Sequence, residues 1–210
     1  MELSKSNVVL IGYSGHGLVV AESAKAAGLQ VKYYAEIKKL SSNPFALDYL
    51  GFEASDSFEG WKKGYGFITG IGDNVIRKKV SEIIADKGEK LLTVIHPSSS
   101  ISLAVKTGDG VFIARNVSVS PLADIGSFSI LNTGCIVEHE CNIGIAAHIG
   151  PGAVLAGNVQ VGELSFIGAN AVVRQNIKIG ANVVVGAGAV VVNDIPDNET
   201  WLGNPARKWR

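Results

Sequence analysis

The sequence predicts an α/β domain followed by a parallel β-helix, and three observations carry that reading. Short apolar stretches alternate with helical ones from residue 7 to 92, an aliphatic residue then recurs every six positions from Ile95, and the tail "NDIPDNETWLGNPARKWR" breaks that repeat with two prolines. Alternating strand and helix is the mark of a parallel sheet covered by helices. A period of six matches neither the 3.6 of a helix nor the 2.0 of a plain strand. It belongs to a coil of three short strands, where each aliphatic stacks on its equivalent one coil away.

In chain order, "NVVLIG" reads as a strand and Leu18 to Ala27 as a helix closed by Gly28, with "VKYYAE" the second strand. "GYGFITGIG" supplies another strand, and "NVIRKKVSEIIADKG" a helix with Val75, Val80, Ile83 and Ile84 on one face. "LLTVIHP" closes this half, with Pro97 as a boundary marker, so the expected domains are 1–93 and 94–210. Of the seventeen hexad positions from Ile95 to Val191, sixteen are Ile, Leu or Val, the exception being Thr107. Four places after each aliphatic comes a second series, mostly small or β-branched, that includes Ser129, Cys135, Cys141, Ala147 and Ala153. Gly126, Gly144, Gly150, Gly162, Gly168, Gly180 and Gly186 follow the aliphatic directly, where a missing Cβ relieves crowding at a corner. The two tryptophans of the tail are expected to cover the last coil.

Composition narrows the function classes. Nineteen basic residues balance nineteen acidic ones without a Lys/Arg run, which argues against a nucleic-acid partner. The apolar run Val8 to Ile11 is too short for a signal peptide or a membrane span, so a cytoplasmic protein is expected. Cys135 and Cys141 sit in inward slots and read as reduced packing residues.

Two stretches carry chemistry. In "VEHEC", His139 lies two places after the inward Val137 and projects from the rod, and Glu140 beside it could hold one ring nitrogen so that the other faces a substrate. An imidazole is a general base suited to neutral pH. The residues alone leave open that His139 and His148 are ordinary surface histidines, or that they form a metal site with Cys141, which the inward register of Cys141 disfavours. In "IGYSGHG", Gly12, Gly15 and Gly17 follow a strand and open a helix, which suits a backbone close to a phosphate or simply a tight turn. The spacing is not G-x-G-x-x-G, so no nicotinamide or flavin cofactor is implied. Glu36 ends the second strand, where such domains contact a ribose or base. "GIGDN" offers Gly72 and Asn74 at another strand end with Asp73 as a helix cap, while Arg77 and Lys78 could neutralise a diphosphate but on a helix surface read rather as a solvated face.

The hexad repeat resembles the hexapeptide acyltransferase superfamily. "GYSGHG" joined to a β-helix carrying "EHEC", together with "GIGDNVIRKK" and "WLGNPARK", resembles its nucleotide-sugar N-acetyltransferases and the sialic-acid O-acetyltransferase-like proteins grouped with them. The resemblance implies a Rossmann-like domain, a left-handed β-helix and a homotrimer. It implies His139 as general base, Glu140 as its orienter, His148 in the acetyl-CoA pocket, and the Gly157 N–H as holder of the thioester carbonyl oxygen. Gly12, Ser14, Gly15, His16 and Gly17 would hold the nucleotide-sugar, and Gly203, Pro205 and Arg207 would border coenzyme A. Relatives often carry Asp-Asp where this chain has Ala35-Glu36, which leaves the nucleotide open. The implied activity is acetyl transfer from acetyl-CoA, without a metal, to the amino group of a UDP-linked 4-amino-4,6-dideoxy sugar for surface glycans. An O-acetyltransferase of sialic acid and a non-catalytic sugar-nucleotide scaffold are the alternatives.

Overall fold

The computed structural model describes residues 7–209, and the chain divides into two compact units, Met1–Pro97 and Ser98–Arg210. In the first unit, β1 (Val8–Ile11), β2 (Val31–Ala35), β3 (Asp48–Tyr49), β4 (Gly66–Thr69) and β5 (Lys90–Leu91) form one sheet in the order β3-β2-β1-β4-β5. Every neighbouring pair is parallel. Its central strands β1 and β4 are buried throughout, which is why "VVLI" and "GFIT" are unbroken apolar runs rather than alternating ones. The two-residue β3 is the strand the sequence pattern does not reveal, being too short to show a period.

Helix α1 (Gly15–Ala26) starts three residues before the expected Leu18, and α2 spans Asn74–Asp86. The α2 face differs from expectation. Val75 is exposed, whereas Arg77, Val80, Ser81 and Ile84 are buried, an i, i+3, i+4, i+7 stripe that takes Arg77 off the solvated face. Asp73 caps this helix as expected, accepting from the Ile76 N–H at 2.8 Å. Val9, Ile11, Ala35, Phe58, Phe67, Val80 and Ile84 form one packed core cluster of this unit.

The second unit is a left-handed parallel β-helix of two-residue strands. Each strand pairs with one eighteen residues away, as Ser118 with Ile136 and Ile136 with Val154. From Ile113 to Val191 every sixth residue is at most 3% exposed, and the second series from Ser129 to Ala189 is equally buried. The rod is therefore filled by two stacked columns per face. The repeat fails at its start: Ile101 is half-buried and Thr107 exposed. A third register is the turn residue at positive φ, repeating every six positions from Gly110 to Gly188, filled by Asn at 116, 158, 170, 176 and 182. Asparagine tolerates that conformation best after glycine. Glu140 occupies the same register at φ 61°.

The corner glycines stack on one another. A Cβ on Gly168 would lie 2.5 Å from the Ala187 nitrogen, 2.6 Å from the Gly186 carbonyl carbon and 2.7 Å from the Val185 oxygen, all backbone atoms of the next coil. Gly168→Ala is therefore expected to lower stability by about 1–3 kcal/mol, read as a Tm several degrees lower. Gly134→Asn, at a positive φ with no atom within 4 Å of the added Cβ, should leave Tm nearly unchanged.

At the C-terminus, Thr200–Leu202 extends one face in parallel and Arg207–Lys208 folds back on it antiparallel. Of the two expected capping tryptophans only Trp201 is half-buried, its Nε1–H donating to Glu199 at 2.7 Å, while Trp209 is 63% exposed.

Candidate functional site

Two sites emerge, one in each unit. In the first, the sheet order reverses between β1 and β4, so the loops leaving their C-terminal ends flank a crevice of the kind that holds ligands in open α/β sheets. These loops meet through glycine. A Cβ on Gly17 or Gly70 would run into the Gly12 carbonyl oxygen, and one on Gly12, whose φ is 84°, would lie 2.8 Å from Ile71. The resulting cavity, about 510 Å³, is lined by Gly12, Ser14, Glu36, Phe52, Glu53, Gly72 and neighbours from α2.

Ser14, which lines the cavity, is the N-cap of α1, and its hydroxyl makes no capping bond. The first helical bond is Leu18 N–H to Ser14 O, so the amides of Gly15 and Gly17 precede the hydrogen-bonded ladder and no acidic side chain shares their turn. The Glu36 carboxylate accepts from the Tyr13 N–H at 3.0 Å and the Ile37 N–H at 3.2 Å. Burial raises Glu53 above the ordinary carboxylate range, and the nearby Glu36 carboxylate adds to this.

Gly15, His16, Gly17 and Asn74 do not line the cavity. Instead, Asn74 Oδ1 accepts from the buried Arg77 guanidinium at 2.8 Å, and Arg77 also donates to the carbonyls of Ile71 and Gly72. Arg77 thereby holds the Gly70–Gly72 loop from beneath. Burial, with the Arg77 charge adding to it, pushes His16 down to about 4. Its folded pKa lies below its unfolded one, so the unfolded chain binds the extra proton between pH 6.5 and 4 and stability falls as pH drops through that window. The full loss is roughly 3 kcal/mol at about 1.36 kcal/mol per unit. We expect the wild-type Tm to fall more than that of His16→Gln between pH 7 and 4.5; parallel curves would contradict a buried neutral imidazole.

In the second unit, His139 and Glu140 form the two-residue turn after the strand Ile136–Val137. His139 Nδ1 and Glu140 Oε2 are 3.0 Å apart. Against an ionised carboxylate Nδ1 is the donor, which leaves Nε2 as the acceptor. Asn158 N–H donates to the His139 carbonyl, stacking the Gly157 turn directly on the His139 turn. A Cβ on Gly157 would lie 2.5 Å from His139 Cε1 and 2.6 Å from Nε2, so the imidazole rests on the glycine. Among the described residues the Gly157 N–H donates to no carbonyl of the ladder. A base with a free nitrogen and an unclaimed amide thus share one corner, the two requirements of acyl transfer.

Nine residues on, His148 stands half a coil away. It is only 8% exposed, so it is not a surface histidine. Its Nε2 is 3.0 Å from Asn132 Nδ2, and its ring meets Phe166 edge-on at 5.0 Å. Its strand belongs to a different face from the strand that leads to His139. Cys141 donates to the Ala156 carbonyl at 3.2 Å, and burial raises both thiols, Cys135 to about 12, so neither is a nucleophile. Among the described residues no group of three His, Cys, Asp or Glu could hold a metal. Gly203, Pro205 and Arg207 are exposed in the C-terminal hairpin region.

The sequence reading missed two features. A groove of about 530 Å³ beside Ala156, lined by Val172, Arg174, Asn176, Val190 and Val192, runs along the rod from the Gly157 turn. Writing the sequence in rows of eighteen would have aligned Ala156, Arg174 and Val192. Phe52 and Glu53 follow the unrecognised β3 and carry no local signal.

Residues 7–84 match the PglD N-terminal domain, and residues 140–175 and 158–193 match the bacterial transferase hexapeptide (six repeats). The chain is 35% identical over all of both chains, at a TM-score of 0.93, to a histidine-to-asparagine mutant of perosamine N-acetyltransferase from Caulobacter crescentus in complex with CoA and GDP-perosamine. It is 33% identical to the acetyltransferase domain of PglB from Neisseria gonorrhoeae in complex with acetyl coenzyme A, over 97% of this chain and 98% of that one, at a TM-score of 0.88. A GDP-perosamine N-acetyltransferase of Escherichia coli O157:H7 is 35% identical over 78 residues, so the match spans 35% of that protein's length. Among the described residues no helix is long and apolar enough to cross a membrane. With solved relatives matched end to end, both family models present and the His-Glu turn in place, the chain belongs to the hexapeptide-repeat nucleotide-sugar N-acetyltransferases.

Proposed function

We propose that the protein transfers acetyl from acetyl-CoA to the amino group of a nucleotide-linked amino sugar, with the nucleotide held by the first unit and the chemistry done by the second. The observation that carries this is the His139 imidazole, tied to Glu140 at 3.0 Å and resting on Gly157, in a chain matched end to end by a Caulobacter crescentus enzyme described in complex with CoA and GDP-perosamine. The sugar amine attacks the thioester carbonyl, forming the C–N bond while the carbonyl electron pair moves to oxygen. The Gly157 N–H stabilises that oxyanion, an interaction worth about 2.7–4 kcal/mol. His139 Nε2 takes the proton released from nitrogen; the C–S bond then breaks, and the coenzyme thiolate leaves and receives that proton. Glu140 keeps the ring in the tautomer this requires and stabilises the imidazolium. Cys135 and Cys141 take no part.

His148 lies half a coil from His139 on another face. A coenzyme pocket containing both is therefore built from two copies, which supports a homotrimer. Exposed Leu103 and Leu122 on the rod agree with such self-association. A cytoplasmic setting, where acetyl-CoA is available, and a product destined for surface glycans complete the reading.

The nucleotide expected from sequence is UDP, but the perosamine N-acetyltransferase of Caulobacter crescentus, matched over all of both chains, is described in complex with GDP-perosamine, so the GDP-linked sugar is the first acceptor to test. Thiol release from acetyl-CoA should appear with GDP-perosamine or a UDP-linked 4-amino-4,6-dideoxy sugar and not with free or CMP-linked sialic acid. Release only with sialic acid would move the chemistry to oxygen. Release with none would restore the non-catalytic scaffold.

A further inference from the structure

We propose that Glu53 selects the nucleobase, its carboxylate accepting the adjacent N1–H and exocyclic amino N–H of guanine, so that the cavity takes a guanosine rather than a uridine diphosphate sugar. This rests on the reading above that the cavity of the first unit holds a nucleotide.

The cavity lining combines two kinds of surface. Gly12, Gly70 and Gly72 present backbone and no side chain, beside the α1 N-cap Ser14, which suits a diphosphate. Ile37, Phe52, Ile76 and Val80 supply apolar lining for a flat ring, and Glu36 and Glu53 supply acceptors. The two carboxylates are not equivalent. Glu36 follows β2 directly and is pinned by the Tyr13 and Ile37 amides, at the place where an acidic residue of a doubly wound sheet takes ribose hydroxyls. Glu53 is only 9% exposed. Among the described residues its carboxylate is met by its own backbone amide alone, although it lines the cavity.

A buried carboxylate with most of its acceptor positions unfilled is costly unless a ligand brings donors. The ordinary bases differ in what they bring. Guanine offers two neighbouring donors, spaced to meet two carboxylate oxygens as an arginine fork does. Uracil and thymine offer one N–H between two carbonyl oxygens, which a carboxylate repels. The amino groups of adenine and cytosine each sit beside a ring nitrogen that is itself an acceptor. Glu53 therefore rewards guanine and penalises the pyrimidines, both halves of a specificity device.

The test is binding of free GDP, IDP and UDP to the full-length protein, by calorimetry, with Glu53→Gln alongside. IDP is GDP without the exocyclic amino group. For the wild type we expect GDP to bind about tenfold tighter than IDP, the fold-change of one lost charge-assisted hydrogen bond, and UDP to bind weaker than either. In Glu53→Gln the gap between GDP and IDP should shrink to less than about threefold, as a direct contact requires. Equal affinity of the wild type for GDP and IDP, tighter binding of UDP, or an undiminished gap in the variant would each overturn the assignment while leaving a nucleotide site. Failure of all three nucleotides to bind the wild type would remove the nucleotide reading of the cavity and this inference with it. The wild-type comparison stands even if the variant does not fold.

Discussion

Replacing His139 by alanine should lower acetyl transfer at least a hundredfold, since a positioned general base contributes about 10²–10⁴. The fold should survive. The His139 side chain is 57% exposed, occupies a surface turn, and its ring is hydrogen-bonded to the equally exposed Glu140, so the substitution opens no cavity and strands no buried partner. Thiol release under saturating acetyl-CoA and sugar nucleotide, set beside the melting curve, separates the outcomes. A rate within a few-fold of wild type at unchanged Tm would mean that another group takes the amine proton.

Gly157→Ala should be nearly as damaging to activity and nearly harmless to stability. The added methyl would fall 2.5 Å from His139 Cε1 and 2.6 Å from Nε2, whereas carbon contacts settle at about 3.5–4.0 Å. The imidazole must give way by roughly 1 Å. It can, because it is the far end of an exposed side chain, and Gly157 itself does not occupy the left-handed region that resists alanine. A displacement of that size costs about 10²-fold in rate when it misplaces a catalytic group. The amide N–H of residue 157 survives the change, so the expected fall in kcat reports the position of the base and not loss of the oxyanion donor. A variant with full activity would show that the imidazole works from a different rotamer, away from the glycine.

The contrast with Gly168→Ala is instructive. There the methyl would meet only backbone atoms of the next coil, and nothing can swing aside. The same chemical change is thus expected to act on stability at one corner and on turnover at another.

The β-helix was legible in the sequence because its order is periodic. A residue six places on has the same environment, so Ile113 to Val191, the small series beneath them and the corner glycines declare themselves without knowledge of any distant contact. The His139-Glu140 pair was legible for a related reason, since adjacent residues in one turn can meet whatever the rest of the chain does. The positive-φ register was hidden, although equally periodic, because backbone conformation there is compatible with Gly, Asn, Leu, Phe, Ala or Glu.

Local pattern alone therefore specifies the architecture and the turn that carries the candidate base. The remaining features come from long-range packing. Arg77 is buried beneath the Gly70–Gly72 loop rather than solvated, His148 is enclosed by Asn132 and Phe166, and Glu36 and Glu53 share one cavity through the pairing of β2 with a strand of only two residues. Periodic order fixes the environment of a residue from its place in the repeat. In the α/β unit a side chain's surroundings are set by which elements pack together across long stretches of chain, and no local pattern records that choice.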